Sequence, residues 1–214
     1  MSPVPGRFIT LEGGEGAGKS TQINLLRAFL EQKSIPVKTT FEPGGGDKQG
    51  PIRQLLVTGD PGRWDAMTEA FLFAADRRNH MVKTVRPALD EGRWVLCDRF
   101  GDSTMAYQAY AGGLTRETVS TLQHMATDGR APDLTLILDL PVETGLERAL
   151  GRDHDGQDRF ERKSYAFHER LRAGFLDIAR REPERCAVID ATRDIDSVAE
   201  AIRRTVQDRL LGGL

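Results

Sequence analysis

Residues 13–20 read Gly13-Gly14-Glu15-Gly16-Ala17-Gly18-Lys19-Ser20, which fits the pattern G-x-x-x-x-G-K-[ST] at every fixed position. Phe8-Ile9-Thr10-Leu11, just before it, reads as a short buried strand. Thr21-Gln22-Ile23-Asn24-Leu25-Leu26-Arg27-Ala28-Phe29-Leu30, just after it, reads as a helix. A glycine-rich loop in that setting is an anion cradle. Glycines let the backbone close round the anion, and successive N–H groups and the helix N-terminus point at it. Lys19 is expected to reach the β- and γ-phosphates of a nucleotide, and Ser20 to ligate Mg²⁺. A plain turn needs neither residue after its last glycine. A dinucleotide-binding loop would place its third glycine where Lys19 stands.

Outward from this loop, short apolar or β-branched runs alternate with helical patterns. The strand candidates are Val37–Phe41, Trp94–Cys97, Leu134–Leu138 and a short Ala187–Ile189. Near-continuous apolar runs of this length suit buried parallel strands, and the alternation implies βαβ units in a three-layer α/β domain. A long helix is expected from about Ala66 to Leu89. Phe167, Leu171, Phe175 and Ile178 form one apolar stripe, and Ile195, Val198, Ala199, Ile202, Val206 and Leu210 another. The 214 residues suit one domain with a sizeable core.

A net charge of -2 gives no global attraction to nucleic acid or to an acidic membrane surface. No secretory apolar region and no run of bilayer length is seen, so a cytoplasmic chain is expected. Cys97 and Cys186 lie far apart and form no disulfide framework, which suits a reducing compartment. His80, His124, His154 and His168 lack metal-ligand spacing and read as ordinary surface or helix positions.

Three further constellations are candidates for chemistry. Asp98-Arg99 follows the third strand directly, where ligands bind in parallel sheets. An Asp there holds a metal or its waters, and an Arg grips phosphate oxygens with a planar fork. Asp139 ends the fourth strand in the same way, but only Asp98 is followed by an arginine. Phe73 and Arg77 are four apart on the long helix, so they share a face. They are either a base-stacking pair or a core phenylalanine beside a surface arginine. Thr104, Tyr107 and Gln108 share another helical face, which points either at a nucleoside cleft or at water. Finally, the charged stretch 151–163, from Gly151 to Lys163, is either a solvated loop or a lid.

Taken together, these stretches resemble thymidylate kinases of the bacterial form over essentially the whole chain. The matching pieces are Glu12-Gly13 through Ser20-Thr21, Glu42-Pro43-Gly44-Gly45, Phe73-Ala74-Ala75-Asp76-Arg77, Asp98-Arg99-Phe100, Asp102-Ser103-Thr104, Ala106-Tyr107-Gln108, Pro132-Asp133-Leu134 and Asp158-Arg159-Phe160-Glu161. The resemblance implies a P-loop NTPase fold with a five-stranded parallel sheet, nucleoside-monophosphate-kinase topology and a lid. It implies transfer of the ATP γ-phosphoryl group to dTMP with Mg²⁺, usually by a homodimer. Gly13, Gly14, Glu15, Gly16, Ala17, Gly18, Lys19, Ser20 and Thr21 would hold ATP, with Ser20 and Asp98 at the metal. Phe73 would stack on thymine, Arg77 and Gln108 would recognise its edge, and Thr104 would lie along the base. Arg53 and Arg99 would hold the acceptor phosphate, Tyr107 would fill the place of a ribose 2′-OH, and Glu15 would face the acceptor sugar. The residue after Glu15 is Gly16, with no side chain to offer, so the catalytic cation is expected from the lid: Arg152 first, Arg159 second. The chain departs from the family pattern at Phe41 (commonly Arg), Gly46 (commonly Thr), Ala109 and Gly112-Gly113. Another small-acceptor kinase is the nearest alternative. A nucleotide-dependent switch fits less well, since no guanine-reading N-K-x-D segment is present.

Overall fold

The computed structural model describes residues 6–150 and 158–212. Its strands are β1 (Phe8–Glu12), β2 (Val37–Phe41), β3 (Trp94–Asp98), β4 (Leu134–Asp139) and β5 (Cys186–Asp190). All are parallel, in the order β2-β3-β1-β4-β5. The chain winds one way from β1 to β2 and the other way to β4, so the crevice where winding reverses lies at the carboxyl end of β1. Leu11 there pairs with Asp98 of β3 and Leu136 of β4, which brings three strand ends together under the glycine-rich loop.

The period of two along the strands sorts the core into layers. Ile9 and Leu11 pack on one face with α1 (Lys19–Gln32) and α9 (Ile195–Val206). Phe8, Val95 and Cys97 point the other way, to Met81, Leu89 and Phe100. A third cluster joins Ile137 to α8 (Tyr165–Arg181) through Phe167, Leu171, Phe175 and Ile178, the stripe read from sequence. Ile195 departs from its stripe: it opens α9 and is exposed, whereas Val198, Ala199, Ile202 and Val206 are buried.

The long helix after residue 65 is not uniform. It runs as α3 (Ala66–His80), a π-helical segment Met81–Val85 and α4 (Arg86–Asp90). Pro87 explains the wider turn. It has no N–H for the carbonyl four residues back, and its ring crowds that carbonyl. The chain relaxes just ahead of it, and Arg86 N–H bonds back five residues to Met81 O. A second π segment, Met105–Ala111, continues α5 (Gly101–Thr104) and was not legible in the sequence. A third π segment, Gln207–Leu211, continues α9, and the remaining helices among the described residues are α2 (Pro51–Val57), α6 (Arg116–Thr127) and α7 (Val142–Leu150).

Candidate active site

The loop from Gly13 to Gly18 is shaped by backbone that only glycine adopts without strain. Gly13, Gly16 and Gly18 have φ of 132°, 68° and 86°. A Cβ on Gly16 would also come within 2.1 Å of Gly145 O on α7. The crest of the loop therefore has no room for an arginine after Glu15.

The helix that follows is left open at its N-terminus. Helices α3, α6, α8 and α9 each use a side chain as cap (Asp65, Thr115, Ser164, Asp194), which accepts a first-turn N–H. Helix α1 begins at Gly18 with no side-chain cap and no acidic residue in its first turn. Its free N–H groups and dipole favour an anion. Lys19 lies inside the loop, its Nζ donating to Gly14 O at 2.9 Å and Gly13 O at 3.3 Å. Burial and the neighbouring Arg99 guanidinium push its ammonium down to about 8.

Asp98 and Ser20 meet across the loop, Ser20 Oγ donating to Asp98 Oδ2 at 2.7 Å. Asp139 is committed elsewhere, accepting both prongs of Arg172 at 2.7 and 2.9 Å. That separates the two strand-end aspartates. Arg99 takes the left-handed φ of 66°, a strain that points to a site over-determined by its surroundings. Its Nη1 donates to Gly13 O and Ser103 Oγ, and its Nη2 to Glu15 Oε1 at 2.9 Å. Tyr107 Oη donates to the same Glu15 oxygen. Burial alone would raise the Glu15 carboxyl, but Arg99, Lys19 and the Tyr107 hydroxyl outweigh it and bring it down to about 2. Glu15 is thus an anion on the side of the loop facing Arg99 and Tyr107.

Burial excludes the solvent-facing reading of both helix faces. Thr104, Tyr107 and Gln108 are all buried, so their face does not point at water. Arg77 is buried too: its Nε donates to Glu42 Oε2 at 2.9 Å, its Nη2 to Thr104 Oγ1 at 3.0 Å, and its guanidinium stacks 4.9 Å from the Phe100 ring centroid. Phe73 is half-buried one turn away, its ring 6.0 Å from that of Phe160. Gln108 Nε2 donates to Glu69 Oε2 at 2.8 Å. Two polar atoms of this group are buried without a partner: Arg77 Nη1 and Gln108 Oε1. Leaving such atoms unpaired costs about 1–3 kcal/mol each.

The sequence reading missed the supports of this site. Two of its histidines lie in helices, as read, but are buried. His80 is buried between Glu42 and Thr40, each at 2.8 Å, and His168 is buried beneath the loop region. Asp76 accepts the Gly44 N–H at 2.8 Å, so α3 pins the Glu42–Gly45 turn through three side chains. Glu12 accepts from Phe100 N–H and Ser103 Oγ at the end of β1; burial, then the nearby Asp102, pushes its carboxyl up to about 7. Partners so distant in sequence leave no local spacing to read.

Arg53 is near the acceptor side, donating to Pro43 O at 2.7 Å, with its guanidinium over the Phe41 ring at 5.4 Å. Phe41, one of the departures, is thus a platform for that arginine. Gly46 has φ of 97°, where a threonine would be strained. Of the two expected lid cations, the described residues include only Arg159. Arg152 lies outside the described residues. Arg159 is fully buried and donates to Asp60 O, Leu56 O, Pro61 O and Glu69 Oε1. All its nitrogens are engaged there, so in this structure it is a strut to the α2–α3 connection, not a cation offered to phosphates.

The geometry agrees with what the chain is similar to. The family model described as thymidylate kinase matches residues 11–202. A thymidylate kinase of Caulobacter vibrioides is 52% identical over 205 residues, covering 96% of this chain and 98% of the relative. One of Desulfosudis oleivorans is 51% identical over 197 residues, covering 90% and 92%. The crystal structure of a thymidylate kinase from Ehrlichia chaffeensis aligns with a TM-score of 0.74 at 34% identity, over 94% of this chain and 99% of that one. The family model over most of the chain, with relatives about half identical over nearly its whole length, shows that this chain belongs to the thymidylate kinase family.

Proposed function

We propose that this chain transfers the γ-phosphoryl group of ATP to dTMP, giving dTDP and ADP, at the site just described. The observation that carries the choice of acceptor is the pair of orphaned atoms, a donor on Arg77 and an acceptor on Gln108. Thymine offers their complements side by side, an O4 acceptor and an N3–H donor. Cytosine offers the reverse, an amino donor and an N3 acceptor. In this reading Phe73 stacks on the ring and Thr104 lies along it. Tyr107 fills the space beside C2′ of the sugar, and Glu15, an anion at the loop crest, faces the 3′-OH.

Gly13 to Thr21 hold the ATP phosphates. Ser20 Oγ and the Asp98 carboxylate are hard oxygen donors 2.7 Å apart, which fits Mg²⁺ completed by water and phosphate oxygens. When bound there, the ion would supply positive charge that offsets the charge of the phosphates. The acceptor phosphate is already close to a dianion, so no strong general base is needed. Catalysis then rests on alignment and charge neutralisation. Arg99 ties the acceptor side to the loop backbone, and Arg53 and Lys19 complete the protein cations. Arg152 is proposed as the lid cation on the γ-phosphate, within one kinase domain whose lid spans about 151–163.

The family's homodimer is proposed here on the exposed stripe of Met67, Phe71 and Val82, with Phe71 56% exposed and Met125 on the packed neighbour α6 at 68%. No helix among the described residues is long and apolar enough to cross a membrane. The two cysteines are free and buried, which fits the proposed cytoplasmic location. Steady-state assays across dTMP, dUMP, dCMP, dGMP and thymidine test the function. Preference for dTMP, with little turnover of thymidine, which lacks a phosphate for Arg53 and Arg99, is expected. Preference for dGMP or thymidine would contradict it.

A further inference from the structure

We infer that the buried pair Glu69–Arg159 is a positioning device that fixes which end of the Gln108 amide faces the base, and so sets discrimination between thymine and cytosine. The inference rests on the proposed reading of dTMP as acceptor. A glutamine amide has a donor end and an acceptor end, and rotating it by half a turn exchanges them. Facing a base, the oxygen accepts thymine N3–H, whereas the nitrogen suits cytosine N3. Something other than Gln108 must therefore select the end.

Glu69 makes that selection. Its Oε2 accepts from Gln108 Nε2 at 2.8 Å, in a buried contact between α3 and the π segment after α5. A carboxylate has no proton to offer, so it draws the amide nitrogen and turns the oxygen away. That oxygen is the buried atom left without a partner. Arg159 in turn holds Glu69, its Nη2 donating to Oε1. The guanidinium is anchored from behind by Leu56 O and Asp60 O, both at 3.0 Å, and its backbone N–H by Val57 O at 3.3 Å. Both carboxylate oxygens are thereby occupied, one by the anchor and one by the base reader. Phe160, next to Arg159, packs edge-on against Tyr107 at 5.5 Å and lies 6.0 Å from Phe73. The segment that orients Gln108 thus also walls the pocket for base and sugar.

The test is the ratio of kcat/KM for dTMP to that for dCMP, with dUMP as control, in the full chain. Glu69→Gln keeps the shape but offers a donor as well as an acceptor, which frees the Gln108 amide to turn. The dTMP/dCMP ratio should fall roughly tenfold to a hundredfold, the size of one misdirected buried hydrogen bond. The dTMP/dUMP ratio should hold within about twofold, since both bases carry N3–H, and KM for ATP should not move. Arg159→Lys keeps the charge but loses the fork, and should shift the dTMP/dCMP ratio in the same direction by less. A uniform loss for all acceptors in Glu69→Gln, with the ratio kept, makes the pair merely structural and overturns the inference alone. A wild-type chain that does not phosphorylate dTMP overturns the underlying reading and the inference with it. If both variants fail to fold, solvent exchange of the Gln108 side-chain NH₂ in the wild-type chain decides by nuclear magnetic resonance. Bonded to Glu69, it should be protected before any nucleotide is added. An NH₂ that exchanges freely until dTMP binds would show the nitrogen facing the base and overturn the inference.

Discussion

Lys19 carries the clearest consequence of its surroundings. Its ammonium is held down to about 8 by burial and by Arg99. For a base whose folded value lies below its unfolded one, the penalty is present below about 8 and relieved as pH rises towards 10.5. ATP reverses the balance, because phosphates favour the charged amine. Nucleotide binding should therefore take up a proton, and KM for ATP should rise as pH passes about 8. Lys19→Ala should abolish that dependence and lower kcat by about 10²–10³, the usual effect of removing one transition-state donor. Near-normal turnover would refute the cradle. Tyr107 sets a second test. Ribothymidine monophosphate should be a poor substrate, Tyr107→Phe should keep that exclusion, and Tyr107→Ala should relax it, as read from kcat/KM for the two sugars. The residues that touch ligand in this account were visible because each stands in a short motif. Glu69, Glu12 and His80 were not, because their partners lie 39, 91 and 38 positions away.

At the scale of elements, all five strands were legible from apolar runs, within one or two residues of their ends. Central parallel strands are buried on both faces, so composition alone marks them. The π segments were not, since a widened turn depends on tertiary context; only Met81–Val85 has a proline, Pro87, just beyond it. The loop crest and α7 form the next coupled pair. Gly16 and Gly145 approach so closely that a Cβ on Gly145 would lie 2.5 Å from Glu15 O. A cation for the transferring phosphoryl must then come from elsewhere, and Arg152 is the residue proposed. Arg152→Ala should reduce kcat by several powers of ten, the range for an arginine finger, with only a modest change in dTMP binding. Arg152→Lys should recover part of the loss, because charge remains but the planar fork does not. Unchanged kcat in Arg152→Ala, measured alongside dTMP affinity, would remove it from the mechanism.

In the proposed reading both nucleotide sites lie at the carboxyl end of the sheet, the donor loop after β1 and the acceptor site between α3 and the segment after α5. The opposite side of α3 and of the π segment that continues it offers Met67, Phe71 and Val82 to solvent. If a second copy covers that stripe, Phe71→Glu should convert the dimer to a monomer in light scattering, by placing a charge in an apolar contact. A dimer of unchanged mass would move the interface elsewhere. The central claim is that Arg77 and Gln108 wait, with one donor and one acceptor unpaired, for the edge of thymine. A crystal structure of the chain with dTMP tests it most directly. Arg77 Nη1 should lie about 3 Å from thymine O4 and Gln108 Oε1 about 3 Å from N3, the normal hydrogen-bond range. A thymine bound away from Phe73, or bound there with those two atoms still unpaired, would contradict the account.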